Sequence, residues 1–484
     1  MARQDVAPIL GSGDFWKRSC SQKFIARQDG SGSSNLREER QFGLCGEAIR
    51  PGDGKKMNLA GRKTEQRKPS QEGRHYTARG WMTPSLVGLL SVALMIAAYE
   101  RGHGNLHKLK TRVDPGPPVE VLPPGPGGQD PVRLSRSATS IGRGAELVSA
   151  TFLPGRGMNV FQLTALIPGH GEVPLLVSPA LASAAGILNG QDEDANGSAS
   201  TTMGGAILLP WAQRLAGTSR STQGMLETNW NSRRLSFPAE NSGSNMSVEG
   251  LLLNRGADSV KSDVLPDGQS VTAVFHAGDF AGDWPSTVEV TVEAQLTAHD
   301  LDLTVMAKNT GQQPVPFGIG WHPFISIPSG DRANALLSIP SQDAMEVNRQ
   351  TGLPTGRMVH VAGTIKDFSR SGGAKLGMTP LDETYTSLQS GVGSGPVAEI
   401  LDPAYNIRLS VIPLTPDITN LRIISPVDKP WVSIGPNTNL DDPFGPEWND
   451  PESAGMITLA PGATLRWKVR FEISLLGTTE TALQ

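Results

Sequence analysis

The chain has 484 residues, of which 19% are charged, 38% hydrophobic and 5% aromatic, with 55 glycines and 37 prolines. This composition argues against a coiled coil or a helical bundle and favours a protein built from strands and turns. The net charge of −4 is distributed unevenly along the chain. Residues 1–80 carry 16 Lys and Arg and 9 Asp and Glu, whereas the remaining 404 residues carry 27 Lys and Arg and 38 Asp and Glu. Because residues 81–484 are acidic overall, we do not expect them to form a surface that binds nucleic acid. Both cysteines lie in the basic part, so no disulfide or cysteine chemistry is expected beyond it.

The first 131 residues divide into three segments without strand patterning. Residues 1–80 are polar and basic and predict a disordered tail, or a mis-assigned translation start, since Met57 and Met82 lie downstream. Residues 81–99 are uncharged and match the thickness of a bilayer, which predicts a transmembrane or signal-anchor helix and hence a membrane contact. Residues 100–131 form a Pro/Gly-rich linker.

The flanks of the 81–99 segment indicate an orientation. Residues 61–80 hold six Lys and Arg, whereas residues 100–119 hold four. This weak bias places the following domain on the outer, periplasmic or extracellular face, either anchored or secreted. A mis-assigned start would make the protein cytoplasmic instead.

Residues 132–477 are predicted to form one all-β domain, followed by a tail at 478–484. Residues 288–296 alternate between apolar and polar, and residues 301–305 do so after the turn at His299, which predicts a hairpin. Residues 456–459 and 465–473 flank Pro461 and Gly462 and predict a second hairpin. No long amphipathic helix interrupts this pattern, so we expect a single large antiparallel β-sandwich.

One histidine stands out in this domain. His322 lies between Trp321 and Pro323, in an apolar stretch, where an imidazole that titrates near neutral pH would serve as an acid. The alternative interpretation is a structural histidine. Glycine-rich phosphate loops, His-Glu-x-x-His and cysteine ligands are missing from the domain sequence, so nothing local indicates a nucleotide or a metal site.

The segment around His322 resembles the Gly-x-x-His-Pro motif of the aldose 1-epimerase (galactose mutarotase) family. Further segments resemble the motifs of that family in the same order, namely 204–215, 248–252, 381–385, 433–438 and 459–464. The resemblance extends over most of residues 132–477 and implies the galactose mutarotase-like β-supersandwich fold.

The resemblance also implies an activity, the interconversion of the anomers of an aldose by acid–base opening and closure of the sugar ring. It makes His322 the acid and Arg214, Gln213 and Asp382 sugar-binding residues, with no metal and no cofactor. Trp321 or Trp211 is a candidate for stacking on a sugar face, although a core position is the equal alternative.

Two positions depart from the family pattern. Gly435 stands where the family has its catalytic Glu, and Glu249 stands where it has a substrate-positioning His. Asp442 and Glu249 are the candidate substitute bases, and Asp441 and Glu447 are further carboxylates close to Asp442. The alternative is turn formation before Pro443 for Asp441 and Asp442, and a solvated or salt-bridged role for Glu249. Because loss of a general base typically lowers a rate by about 10²–10⁴-fold, a non-catalytic carbohydrate-binding protein on the same scaffold is the second hypothesis. Action on a sugar phosphate or a polysaccharide is a third, and no basic cluster near the motifs favours phosphate.

Overall fold

The computed structural model describes residues 88–99, 101, 125–138, 144–191, 194–219, 224–241, 243–247, 249–391 and 395–477. The chain divides into two compact units between Asp114 and Pro115. In the first unit, residues 88–99 are helical and exposed, while the predicted tail 1–80 and residues 81–87 lie outside the described residues. No helix in the described part of the chain is both long and apolar enough to cross a membrane, so the predicted transmembrane helix over 81–99 is not supported.

The second unit consists mainly of antiparallel strands. They are, in chain order, β1 (Val132–Ser135), β2 (Glu146–Leu153), β3 (Asn159–Ile167), β4 (Gly171–Pro174), β5 (Gly205–Leu208), β6 (Thr218–Ser219), β7 (Met225–Trp230), β8 (Arg233–Pro238), β9 (Ser259–Leu265), β10 (Gly268–Gly278), β11 (Val288–Leu296), β12 (Asp300–Asn309), β13 (Val315–Phe317), β14 (Gly320–Pro323), β15 (Ile325–Ser326), β16 (Leu336–Ser338), β17 (Asp343–Val347), β18 (Pro354–His360), β19 (Ala374–Lys375), β20 (Leu381–Thr386), β21 (Ala398–Asp402), β22 (Ile407–Pro413), β23 (Asn420–Ser425), β24 (Trp431–Asn437), β25 (Ile457–Leu459) and β26 (Thr464–Leu475). A short helix, Leu181–Ile187, and the 3-10 turns Pro126–Gly128, Pro154–Arg156 and Ser198–Thr202 connect them. The predicted all-β class is confirmed.

Two large sheets dominate this unit. One has nine strands in the order β19-β16-β21-β22-β26-β12-β11-β10-β9. The other has eight, in the order β18-β17-β20-β23-β24-β14-β5 with β15 also paired to β24. Smaller sheets of four, three and two strands are β1-β2-β3-β4, β6-β7-β8 and β13-β25.

The predicted hairpin at residues 288–305 is confirmed. Strands β11 and β12 pair antiparallel from Val288 opposite Asn309 to Leu296 opposite Leu301. Every second residue of β11 is buried, as its sequence alternation requires, because successive side chains of a strand point to opposite faces.

The predicted C-terminal hairpin is wrong in its pairing. Strand β25 pairs with β13, and β26 pairs with β12 and β22 instead of with β25. The turn at Gly462 therefore connects two sheets. An alternating pattern marks each strand but does not specify its partner, which the packing of the distant strands decides.

The hydrophobic core includes the inner faces of the two large sheets. Val290 and Leu303 of the nine-stranded sheet belong to the same buried cluster as Leu421, Ile423 and Ile434 of the eight-stranded sheet. Because side chains alternate along a strand, Arg422 and Gly435 lie on the opposite, outer face of the eight-stranded sheet. This outer face carries the polar side chains described below.

Part of the predicted linker belongs to the second unit. Gln129 exchanges two hydrogen bonds with the backbone of Ala257, donating through Nε2 at 2.7 Å and accepting through Oε1 at 3.1 Å. The Gly127 amide donates to the Leu188 carbonyl at 3.3 Å. These contacts fix residues 126–131 against the strands that follow, so the packed chain begins a few residues before the predicted boundary at 132.

Candidate active site

His322 lies on β14 and forms a pair with Glu249. The ring Nδ1 is 2.9 Å from Glu249 Oε2, and the two side chains are only 12% and 18% exposed. Burial alone would raise the pKa of Glu249, but His322 and Arg422 nearby lower it below its usual value, so the carboxylate stays ionised. A carboxylate can only accept a hydrogen bond, so Nδ1 carries the hydrogen. Nε2 is left buried, with no hydrogen-bond partner among the described residues.

The orientation of the His322 ring is fixed on its other side by an aromatic contact. Phe324 stacks on the imidazole at 4.9 Å between ring centroids, with an angle of 19° between the planes. Trp431 in turn meets the edge of Phe324 at 4.9 Å. An ionised partner and a stacked ring together restrict the imidazole to one orientation, which a proton-transferring group requires.

Arg422 lies on β23 and is the centre of a polar network. Its Nη2 donates to Asp382 Oδ1, and its Nη1 donates to Thr384 Oγ1 at 3.1 Å. Nη1 also lies 3.6 Å from Asp441 Oδ2. The Arg422 side chain is 11% exposed, whereas that of Asp382 is 65% exposed. Arg422 is therefore held from three directions while Asp382 remains open to solvent.

Arg214 and Asp441 form a two-point contact. The Arg214 Nη2 atom donates to Asp441 Oδ2 at 2.9 Å, and the Arg214 backbone amide donates to Asp441 Oδ1 at 3.2 Å. Burial by itself would raise the pKa of Asp441, but the guanidinium groups of Arg422 and Arg214 lower it. Asp441 in turn raises the pKa of Arg214, whose side chain stays 32% exposed. The pair leaves a fixed cation at the surface.

Gln213, next to Arg214 in the chain, is held by buried hydrogen bonds. Its side chain is buried, with Nε2 donating to Asn420 Oδ1 at 3.0 Å and to the Asn439 carbonyl at 2.8 Å. Its Oε1 accepts from Thr384 Oγ1 at 3.0 Å. These three internal partners fix the Gln213 side chain next to Arg214, and its sugar contact stays a prediction.

Asp442 lies on the same loop as Asp441 but points to different partners. Its Oδ1 accepts from the Ala216 amide at 2.9 Å, and its backbone amide donates to the Arg214 carbonyl at 2.9 Å. Burial raises the pKa of Asp442 to about 7, and the neighbouring carboxyl of Glu447 adds to this. The pKa of Glu447 is raised as well, first by burial. Both carboxyl groups belong to this loop, whereas the carboxylate that contacts His322 is Glu249.

The two candidate stacking residues are core residues. Trp321 is fully buried and donates from Nε1 to the Gly205 carbonyl at 3.2 Å. Trp211 is also fully buried and stacks on Trp284 at 5.4 Å. Neither indole is available to stack on a sugar in this structure, in agreement with the alternative interpretation that both are core residues.

Gly435 faces the interior of the polar cluster. A Cβ atom added there would lie 3.0 Å from the Trp321 carbonyl oxygen and 3.5 Å from Arg422 Cβ. The backbone at Gly435 is outside the left-handed region, so its conformation does not demand glycine. Gly435 therefore places no side chain next to Arg422, at the position where the family motif has a carboxylate.

Polar side chains that are far apart in the sequence thus meet on one sheet face. They are Arg214, Glu249, His322, Asp382, Thr384, Arg422 and Asp441. Two separate clefts of about 200 and 190 Å³ are lined by other residues, such as Trp448 and Phe280. The cluster combines an oriented imidazole with two fixed guanidinium groups, an arrangement that can transfer a proton and bind hydroxyl groups.

A family model supports an assignment for this chain. The model described as aldose 1-epimerase matches residues 186–472, more than half of the sequence. The chain belongs to the aldose 1-epimerase family. The matched range includes every residue of the polar cluster.

Solved structures with the same fold include proteins of this family. A galactose mutarotase-like protein from Clostridium acetobutylicum is 18% identical with a TM-score of 0.56, covering 69% of this chain and 95% of its own. The GalM/aldose epimerase homologue from C. elegans is 16% identical with a TM-score of 0.54, covering 71% and 99%. A galactose mutarotase-like protein from Lactobacillus casei is 15% identical with a TM-score of 0.50, covering 71% and 100%. These likenesses show the fold. No curated protein matches the sequence.

Three members of the cluster, Thr384, Arg422 and Asp441, were not singled out as site residues by the sequence. Arg422 matches no family motif used above, and its one signal is a charge within the apolar strand segment Leu421-Arg422-Ile423-Ile424. Asp441 was grouped with Asp442 as a turn residue or substitute carboxylate, and only the contacts with Arg214 and Arg422 distinguish the two.

Proposed function

We propose that this protein interconverts the α and β anomers of an aldose by opening and closing the pyranose ring. The observation that carries the proposal is the buried, unpartnered Nε2 of His322, next to a ring nitrogen bonded to Glu249. In the neutral ring Nε2 holds a lone pair, because Nδ1 carries the hydrogen. It can therefore accept a proton and later return it.

One nitrogen can serve both proton transfers of this reaction. The anomeric hydroxyl loses its proton to Nε2, and its electron pair forms the carbonyl bond at C1. The bond from C1 to the ring oxygen breaks with its electron pair, and the ring oxygen takes the proton from Nε2. Both oxygens are bonded to C1, so a single imidazole reaches each of them. Rotation about the C1–C2 bond and reversal of the steps then give the other anomer.

The remaining residues have distinct roles in this proposal. Glu249 is a positioning residue that fixes the His322 tautomer and balances the charge of the imidazolium. Arg214 and Asp382, 32% and 65% exposed, bind sugar hydroxyls as donor and acceptor. Gln213 and Asp441 hold Arg214 in place.

Polarimetry on the full-length chain tests the proposal. We expect freshly dissolved α-D-glucose or α-D-galactose to reach equilibrium faster with the protein than in buffer. His322→Gln should lower kcat/KM about 10²–10⁴-fold, the usual effect of removing a general acid–base group. His276→Gln is the matched control, because His276 is 65% exposed and pairs with Glu289 in a different sheet. A wild-type rate equal to buffer, or an unchanged rate in His322→Gln, would contradict the proposal.

The second candidate function is carbohydrate binding without catalysis. Gly435 favours it, because glycine supplies no base at the position where the family has one. Calorimetry separates the two functions. Heat of sugar binding, together with a mutarotation rate no greater than in buffer, would support the binding protein and contradict the enzyme.

A further inference from the structure

The strand register places His322, Gly435 and Arg422 in one row across the eight-stranded sheet. Strand β14 pairs with β24 at Gly320 opposite Asn437, and β15 continues the same register with Ile325 opposite Val432. Extending this register between the two pairs brings His322 opposite Gly435. On the other side of β24, Gly435 pairs directly with Arg422.

Cross-strand neighbours in a row share one face, so the side chains of His322 and Arg422 stand on either side of a glycine. Neighbouring strands are about 4.8 Å apart, so the Cα atoms of His322 and Arg422 are separated by roughly 10 Å. The space above Gly435, here called the slot, therefore lies between the side chains of His322 and Arg422. The charge of Arg422 is close enough to Glu249, the partner of His322, to lower the pKa of that carboxyl group. The floor of the slot is backbone, since the nearest atom to a Cβ at position 435 is the Trp321 carbonyl oxygen at 3.0 Å.

Arg422 is arranged to act through its charge. A guanidinium group stays protonated in proteins, so Arg422 cannot exchange a proton with the substrate and cannot serve as the base. Its contacts with Asp382, Thr384 and Asp441 fix its position before any substrate arrives. A fixed charge of this kind stabilises negative charge that develops during a reaction, without reorganising.

We infer that Arg422 is a catalytic residue that binds the anomeric oxygen in the slot above Gly435 and stabilises the negative charge on it as His322 removes its proton. This inference rests on the proposed function. It explains how the reaction proceeds without a carboxylate at position 435. The positive charge of Arg422 makes the proton of the anomeric hydroxyl easier to remove, so a neutral imidazole is a sufficient base. The electron and proton movements are those given above, and Arg422 takes part in no bond change.

Kinetics of Arg422 variants test the inference. Arg422→Gln should lower kcat about 10²–10³-fold, the typical loss for one oxyanion donor, with a much smaller change in KM. Arg422→Ala should regain part of its rate when millimolar guanidinium chloride is added, but not with urea, which has a similar shape and no charge. Arg357→Gln is the control, because Arg357 is 73% exposed on the edge strand β18 and pairs with Glu346.

The outcomes separate this inference from the proposed function. A wild-type protein without mutarotase activity overturns both. An active wild-type protein with Arg422→Gln within about threefold of its rate overturns the role of Arg422 and leaves the proposed function intact. Loss of rate in a folded Arg422→Ala variant that urea restores as well as guanidinium would also overturn it, because a space-filling role would then be sufficient. Thermal melting of each variant shows that it is folded.

Discussion

Replacing Asp442 by Asn tests whether this carboxyl group is a loop component or the missing base. The wild-type side chain is buried and accepts from the Ala216 amide, and its pKa is raised to about 7 by burial and by the nearby Glu447. Asn keeps the acceptor oxygen and has an NH2 group in place of the hydroxyl of the protonated carboxyl group. Asn is also among the residues that best tolerate the positive φ of 47° at this position. The substitution thus removes a charge and preserves the geometry.

The expected effect on stability follows from the raised pKa of Asp442. A carboxyl pKa raised in the folded state favours folding below the unfolded value of 3.8, and this contribution is lost as the pH rises through about 7. One pKa unit corresponds to about 1.4 kcal/mol, so raising the pKa of Asp442 from 3.8 to about 7 lowers the free energy of unfolding at high pH by at most about 4 kcal/mol. Because the ionisations of Asp442 and Glu447 affect each other, only part of this maximum belongs to Asp442, and we expect Asp442→Asn to gain about 1–2 kcal/mol at pH 8 and little at pH 4.

Urea unfolding of the wild type and Asp442→Asn at both pH values measures this difference, and polarimetry on the same samples measures mutarotation. Asp428→Asn is the control, because Asp428 is 54% exposed and should show no pH-dependent difference. A variant that gains nothing at pH 8 relative to pH 4 would refute the raised pKa of Asp442. A loss of mutarotation of about 100-fold or more in a folded Asp442→Asn variant would show instead that Asp442 is the base.

Two further substitutions test the roles given to Glu249 and Arg214. Glu249→Gln keeps a hydrogen-bond acceptor for His322 but removes the negative charge. Because a hydrogen bond to a charged group contributes about 1–2 kcal/mol more than a neutral one, kcat should fall roughly 5- to 30-fold while KM changes little. Glu249→Asp keeps the charge and should retain more activity than Glu249→Gln. Equal rates for Glu249→Gln and the wild type would contradict a role for the carboxylate charge. Arg214→Gln should raise KM about 10- to 100-fold through loss of a charged contact to the sugar, as initial rates over a range of sugar concentrations would show. An unchanged KM would place the sugar away from Arg214.

The sequence is sufficient to predict the strands but not all of their partners. The β11–β12 hairpin was predictable because both strands alternate on either side of a short turn, and local pairing costs little loop entropy. The partner of β25 is β13, which lies about 140 residues earlier in the chain, and no local pattern identifies it.

The residues of the site likewise fall into those that the sequence identifies and those that only the structure identifies. The segments carrying Arg214, Glu249 and His322 are recognisable by their order along the chain, whereas Arg422 becomes visible only when the register brings it next to Gly435. The stacking role considered for Trp321 could have been excluded earlier. Alternation along β14 places Trp321 and His322 on opposite faces of the sheet, so only one of them can face the site.

The charges of the cluster favour a neutral sugar over an anionic one. Its fixed charges are two guanidinium groups and three carboxylates, contributed by Arg214, Arg422, Asp382, Asp441 and Glu249. With a neutral His322 they sum to −1, so an incoming phosphate or carboxylate would meet a cluster that already carries excess negative charge. When His322 takes a proton from the sugar, the protein charges sum to zero, and the negative charge on the substrate lies between His322 and Arg422. The arrangement is thus better matched to the transient negative charge of a proton shuttle than to a substrate that carries a permanent negative charge. This distribution of charge argues against a sugar phosphate and for an uncharged aldose as the substrate of the proposed reaction.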